Sequence, residues 1–167
     1  MSYELKRLAD KNLGVAIALA KHYRDLNDPD EAESICRDVL EVAPDNVDAL
    51  RTLGLALTDR FSSQWMSLFD EACSLFNKLP TEYERAYYVG IAWERYAKAQ
   101  LEVGRAHNAI HAFEEAIERF EEAAVHAAKE DPAPLLHYNR CVRALTTHPE
   151  LVRASGVPQR PKFEFGD

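Results

Sequence analysis

The chain lacks any long apolar run. No stretch reaches the roughly 18 consecutive apolar residues that a membrane-spanning helix needs,. Its first eight residues, MSYELKRL, carry charged side chains where a secretory signal would have its apolar segment,. We therefore expect a protein without a membrane partner, located in the cytoplasm.

Cysteine is also scarce. The three cysteines, Cys36, Cys73 and Cys141, are far apart, and no Cys-x-x-Cys pair occurs. An odd number of isolated cysteines argues against a disulfide framework and against a cysteine-ligated zinc site. We predict reduced thiols packed in the protein, with Cys36 acting as a small core residue.

Positive charge is in the minority. The chain has 20 Lys and Arg against 28 Asp and Glu, which gives a net charge of −8. Binding to nucleic acid or to an anionic membrane requires clustered basic side chains. The sequence therefore predicts neither kind of partner.

Signatures of catalysis are missing as well. The six glycines are isolated and form no phosphate-binding loop,. His107 and His111 stand four residues apart on a predicted helix, a spacing that can place two imidazoles on one metal ion,. The Glu that follows the first His in zinc-protease signatures is absent, which favours surface histidines over a metal site. We predict a protein that is not an enzyme and holds no cofactor and no metal.

Helical periodicity is what the sequence does have. Apolar residues recur in steps of three and four from Leu13 onward, and no segment alternates as a strand does,. The pattern predicts an all-α protein of about seven helices, of which the longest runs from about Arg105 to Lys129. Short turns between helices predict antiparallel neighbours. The expected turns and caps are Asp28-Pro29-Asp30-Glu31, Asp45, a turn near Phe61–Ser63, Thr81 with Glu84, Gly104, and Asp131-Pro132,.

The composition changes after Pro149 to glycine, proline and isolated charges. We therefore predict a helical domain over residues 1–148, closed by a helix at 132–147, and a tail over residues 149–167. Within that tail, Lys162–Phe165 alternates polar and aromatic residues and is expected either to pack in a groove or to be disordered.

A repeat runs through the helical part. Leu13–Asn46 places small residues, an aromatic residue and a proline at set offsets through Ala20, Tyr23, Ala32 and Pro44. This segment resembles the 34-residue tetratricopeptide repeat. Further matches predict degenerate repeats at about 47–80 and 90–123. They rest on Leu50, Leu53, Gly54 and Leu57 in the second segment, and on Trp93, Tyr96, Ala97, Ala109, Phe113 and Ala116 in the third.

The resemblance implies helical hairpins stacked as a right-handed superhelix, in which the first helix of each repeat lines a concave groove. Groove residues would then hold a protein or peptide segment, possibly an acidic one, as in an adaptor or assembly factor. The candidates are Lys21, Arg24, Arg51, Thr52, Arg95 and Lys98. The alternative is that these basic residues are solvated and paired with Asp25, Asp59 and Glu94.

A second function stays open, that of a homo-oligomeric structural protein. The third hairpin is longer than its repeat, and its alanine-rich stripe needs a cover, either the last helix or another copy of the chain. Five aromatic residues on its first helix suit core packing better than an interface. They are Tyr83, Tyr87, Tyr88, Trp93 and Tyr96.

Overall fold

The computed structural model describes residues 3–156, apart from the side chains of residues 62–66. All regular structure in that part of the chain is helical, which confirms the predicted all-α class. Eight α-helices follow one short 3-10 turn, Asp10–Asn12. They are α1 Leu13–Asp25, α2 Pro29–Val42, α3 Val47–Thr58, α4 Phe61–Phe76, α5 Glu82–Glu102, α6 Ala106–His126, α7 Ala133–Thr147 and α8 Pro149–Ala154.

The first six helices form three antiparallel hairpins in series, α1/α2, α3/α4 and α5/α6. Each hairpin packs on the next through its second helix, because α2 contacts α3 and α4 contacts α5. The first helices also touch one another, α1 with α3 and α3 with α5. This arrangement creates the core by stacking, as expected for helical repeats that cannot bury an apolar face alone.

Close approach of the paired helices depends on glycine. A Cβ atom added at Gly54 of α3 would lie 2.3 Å from Cε1 of Phe76 on α4. At Gly90 of α5 it would lie 2.8 Å from Cε1 of Phe120 on α6. Both phenylalanine rings are fully buried, so they have little room to move aside,.

The helix starts follow the predicted capping chemistry with one shift. The side chains of Asp28 and Thr81 accept hydrogen bonds from the backbone N–H groups three residues later, at 3.4 and 3.1 Å. Asp45 was expected to cap α3, but Asn46 does so, accepting from the Ala49 N–H at 3.0 Å. Both side chains can act as an N-cap, so the residue type alone left the choice open.

Three boundaries differ from the sequence prediction. The second turn lies at Asp59–Arg60, because α4 already begins at Phe61. Helix α6 ends at His126, and Ala127 takes an extended conformation, so the helix is shorter than predicted. Beyond His148 the chain forms α8, which contacts α6 and α7 and buries Leu151 completely. The predicted alternation at Lys162–Phe165 lies outside the described residues.

The alanine-rich stripe of α6 was expected to be covered either by the last helix or by another copy of the chain. Helix α7 packs against α6 and provides this cover. Four of the five aromatic residues of α5 pack against the two larger core clusters, and the fifth, Tyr83, stacks on Tyr87 at 5.6 Å between ring centroids. Tyr87 contacts Phe120 and His137, and Trp93 contacts Phe69 edge to face at 4.6 Å between ring centroids. Core packing therefore accounts for this aromatic cluster.

Candidate functional site

The candidate binding residues lie on the first helices of the three hairpins. Lys21 and Arg24 belong to α1, Arg51 to α3, and Arg95 and Lys98 to α5. Ion pairs between α1, α3 and α5 join these residues across neighbouring helices, so we call this surface the inner face. Thr52 of α3 is only 4% exposed. Thr52 is therefore not accessible to a ligand at the surface.

One ionic network joins the start of α3 to both neighbours. Asp48 accepts from Lys21 at 3.1 Å and from Arg51 at 3.0 Å. Arg51 also donates to Glu84 at the start of α5, while Thr81 donates to the same carboxylate at 2.9 Å. Burial acts to raise the pKa of Glu84, but the hydrogen bonds from Arg51 and Thr81 outweigh it and hold the pKa below its usual value,.

A second network lies at the other end of α3. Asp59 accepts from Arg24 Nε at 2.7 Å and from Arg95, so one carboxylate is shared by two guanidinium groups. Arg95 also donates to Thr58 Oγ1 and to the Leu55 carbonyl.

The third network is centred on a buried carboxylate. Glu94 of α5 is fully buried, and Lys98 Nζ and His137 Nδ1 each lie 2.8 Å from one of its oxygens. Arg140 of α7 forms a further ion pair with it. Burial acts to raise the pKa of Glu94, but these partners lower it to about 2,. Glu94 thus remains ionised and ties α7 to the repeat array.

An open cleft of about 300 Å³ lies between the end of α3 and α5. It brings Arg95 and Lys98 together beside Asp59, with Glu102 on the same wall. Its apolar floor consists of Phe61 and Ala99. Two cations, two anions and an apolar floor in one cleft suit the extended backbone and mixed side chains of a peptide.

The structure supports the pairing alternative for most of the candidate cations. Asp59 and Glu94 are partners, as that alternative expected, whereas no ion pair of Asp25 is found within the described residues. His137 and Arg140 were missed by sequence reasoning. The sequence shows them only as polar residues on a helix outside the repeat, so nothing signalled that they would meet Glu94.

Other candidate chemistry does not assemble. His107 and His111 are exposed on α6, and no group of three metal-binding side chains occurs among residues 3–156 outside the undescribed side chains. Burial raises the pKa of the Cys36, Cys73 and Cys141 thiols to about 12. Thiols with such pKa values are poor nucleophiles at neutral pH. None of the helices in the described part is both long and apolar enough to cross a membrane.

Comparison with known families places one repeat firmly. Residues 14–46, which span α1 and α2, match the family model described as tetratricopeptide repeat. No curated protein matches the chain closely enough to count as a relative. Repeats of this family generally mediate protein–protein interactions and are typically non-catalytic.

Proposed function

We propose that this tetratricopeptide-repeat protein is a non-catalytic, cytoplasmic adaptor or assembly factor that holds a protein or peptide segment on its inner face. The observation that carries the proposal is the row of charged side chains across α1, α3 and α5, which ends in the open cleft beside Arg95 and Lys98. A face built from three separate hairpins offers an extended ligand several contact points in series.

The pairing of the basic residues does not remove them from recognition. The side chains of Lys21 and Lys98 are 50% and 45% exposed, so each retains N–H donors that face solvent,. Arg24 and Arg95 share Asp59, which leaves donor capacity on both guanidinium groups. An acidic segment of a partner is the ligand that these donors favour.

The first test removes the two most exposed lysines of the inner face in the variant Lys21→Gln/Lys98→Gln. The Lys21–Asp48 ion pair lies at the surface and contributes at most about 1 kcal/mol, and the buried Glu94 keeps His137 and Arg140 as partners when Lys98 is replaced, so the variant is expected to fold,. The matched control is Lys78→Gln/Lys129→Gln, which changes the net charge equally at exposed positions outside the helices of the inner face. Proteins captured from lysate by each form are quantified by mass spectrometry.

A partner that is retained by the wild type and the control but lost by the inner-face variant supports the proposal. Equal capture by all three forms would show that binding lies elsewhere. The alternative of a homo-oligomer built through the third hairpin stays a prediction, and the α7 cover over α6 supplies it with no support.

A further inference from the structure

Helix α1 exposes an apolar stripe on the side that faces away from the array. Val15 is 73% exposed, Leu26 62% and Leu19 43%. Together with His22, which is also exposed, they follow one another in steps of four, three and four. This is the a/d spacing of a helix that packs along a second helix. We call Val15, Leu19, His22 and Leu26 the α1 seam.

The repeat itself shows what normally covers these positions. One repeat later, Val15, Leu19 and His22 correspond to three residues of α3 that are at most 1% exposed, namely Ala49, Leu53 and Ala56. In the third repeat, Val15 and His22 correspond to the buried Ala92 and Ala99 of α5.

The cover in both later repeats is the second helix of the preceding hairpin, α2 for α3 and α4 for α5. Within the described residues no α-helix packs on the corresponding surface of α1, and Val15 and Leu19 are exposed there. The outer faces of terminal repeats are ordinarily polar. The α1 seam is therefore built to receive a helix.

Two charged residues beside the α1 seam indicate which helix would pack on it. Lys11 and Asp25 flank the same side of the seam, both are exposed, and neither has an ion-pair partner within the described residues. If a second α1 lies antiparallel across the first, Lys11 of each copy faces Asp25 of the other. In the same register, Val15 of each copy faces Leu19 of the other.

Small residues permit that approach. Ala18 is exposed and would face Ala18 of the other copy at the centre of the pair. Small side chains at a crossing point allow two helix backbones to come close.

We propose that the α1 seam binds a second copy of this chain, with the two α1 helices antiparallel about a two-fold axis. The contact is isologous, so it closes at two copies and leaves both inner faces free. A single pair of helices buries less area than a standard interface, so the dimer is weak and depends on concentration.

Sedimentation velocity of the full chain over rising concentration tests the proposal. The weight-average mass of the wild type should rise from the 18.9 kDa of one chain toward twice that value. The variant Val15→Lys/Leu19→Lys should remain monomeric, with unchanged helical circular dichroism and melting. The control Val125→Lys alters an exposed apolar residue of α6 and should dimerise like the wild type.

A pair of charge reversals tests the orientation. Lys11→Asp and Asp25→Lys should each self-associate about 10-fold more weakly, because two attractive pairs become repulsive. An equimolar mixture of the two variants should regain dimers. One variant is then acidic at both positions and the other is basic at both, so the two pairs in the mixed dimer are attractive again. Lys11→Asp places a negative charge near the amino end of α1, and Asp25→Lys places a positive charge near its carboxyl end. Both charges interact favourably with the helix dipole, so neither substitution is expected to unfold α1.

Three results would overturn the proposal. A wild type that stays monomeric at every concentration removes the dimer. Dimers that survive Val15→Lys/Leu19→Lys, or that are lost in Val125→Lys, place self-association on another surface. A mixture of the charge variants that stays monomeric rules out the antiparallel pairing. None of these results bears on ligand capture by the inner face.

Discussion

The two ends of the array differ in how far their outer helix faces are covered. At the carboxyl end, α7 and α8 cover the last hairpin, Leu151 is fully buried, and the buried Glu94 of α5 contacts two α7 side chains, His137 and Arg140. At the amino end, α1 leaves Val15, Leu19 and Leu26 exposed. A terminal repeat thus needs a cover that its own sequence pattern does not supply, and among residues 3–156 a helical cover is present at the carboxyl end alone,.

The largest expected difference between the ends comes from truncating leucines. Leu151→Ala should lower the free energy of unfolding by about 3 kcal/mol, because it leaves a cavity beneath α8. Leu26→Ala at the amino end should change it by less than about 0.5 kcal/mol, because that side chain already faces solvent,. Urea unfolding followed by circular dichroism measures the free energy of unfolding of both variants. An equal decrease in the two variants would contradict the contrast between a covered and an open end.

The second prediction concerns the carboxylate that attaches α7. Glu94→Gln should destabilise the protein by about 2 kcal/mol at pH 7, because the amide cannot form ion pairs with Lys98 and Arg140,. This decrease in the free energy of unfolding is smaller than expected for a fully buried ion-pair network, because Lys98 and Arg140 are about half exposed,. Urea unfolding at neutral pH measures it, with Glu118→Gln on the exposed face of α6 as the control.

The same carboxylate predicts a pH dependence. Its folded-state pKa of about 2 lies below the value of 4.5 expected without these partners. Ionised Glu94 therefore stabilises the fold fully above about pH 4.5, and this stabilisation is lost as the pH falls toward 2. The stability gap between wild type and Glu94→Gln should narrow over that range. A gap that stayed constant down to about pH 2.5 would mean that Glu94 is not the titrating group.

Two glycine substitutions are expected to act in opposite directions inside the array and at its amino end. Gly54→Ala should destabilise by about 1–3 kcal/mol, because the new Cβ would overlap the buried ring of Phe76,. Gly14→Ala, where no neighbour lies within 4 Å, should instead stabilise α1 by up to about 1 kcal/mol,. Thermal melting of the two variants gives the sign of each change. Stabilisation by both substitutions would show that α3 and α4 are not closely packed at Gly54.

Sequence reasoning located the elements well because local chemistry determines them. Prolines, capping residues and apolar residues in steps of three and four marked every helix up to α7. Asp45 and Asn46 are both good caps, so the sequence did not distinguish them. α8 was missed because six residues after a proline, with a single leucine turned inward, give almost no periodic signal,.

The candidate site was less predictable because it depends on contacts between distant segments. The pairing of Arg24 with Asp59 spans 35 residues, and that of Glu94 with His137 spans 43. Periodicity places a residue on a face of its helix but does not show which neighbour it meets. Burial of Thr52 and Glu94 likewise follows from how the helices stack, which the helix pattern alone does not show.

The most direct test of the inner face as the binding surface is site-specific photo-crosslinking in cells. A photoreactive amino acid replaces Glu102, which lines the cleft beside Arg95, or Glu118, which is exposed on α6. The proposed function predicts that position 102 crosslinks to a defined protein and that position 118 does not. Crosslinking of that protein from position 118 alone would contradict the proposal that the inner face holds the partner.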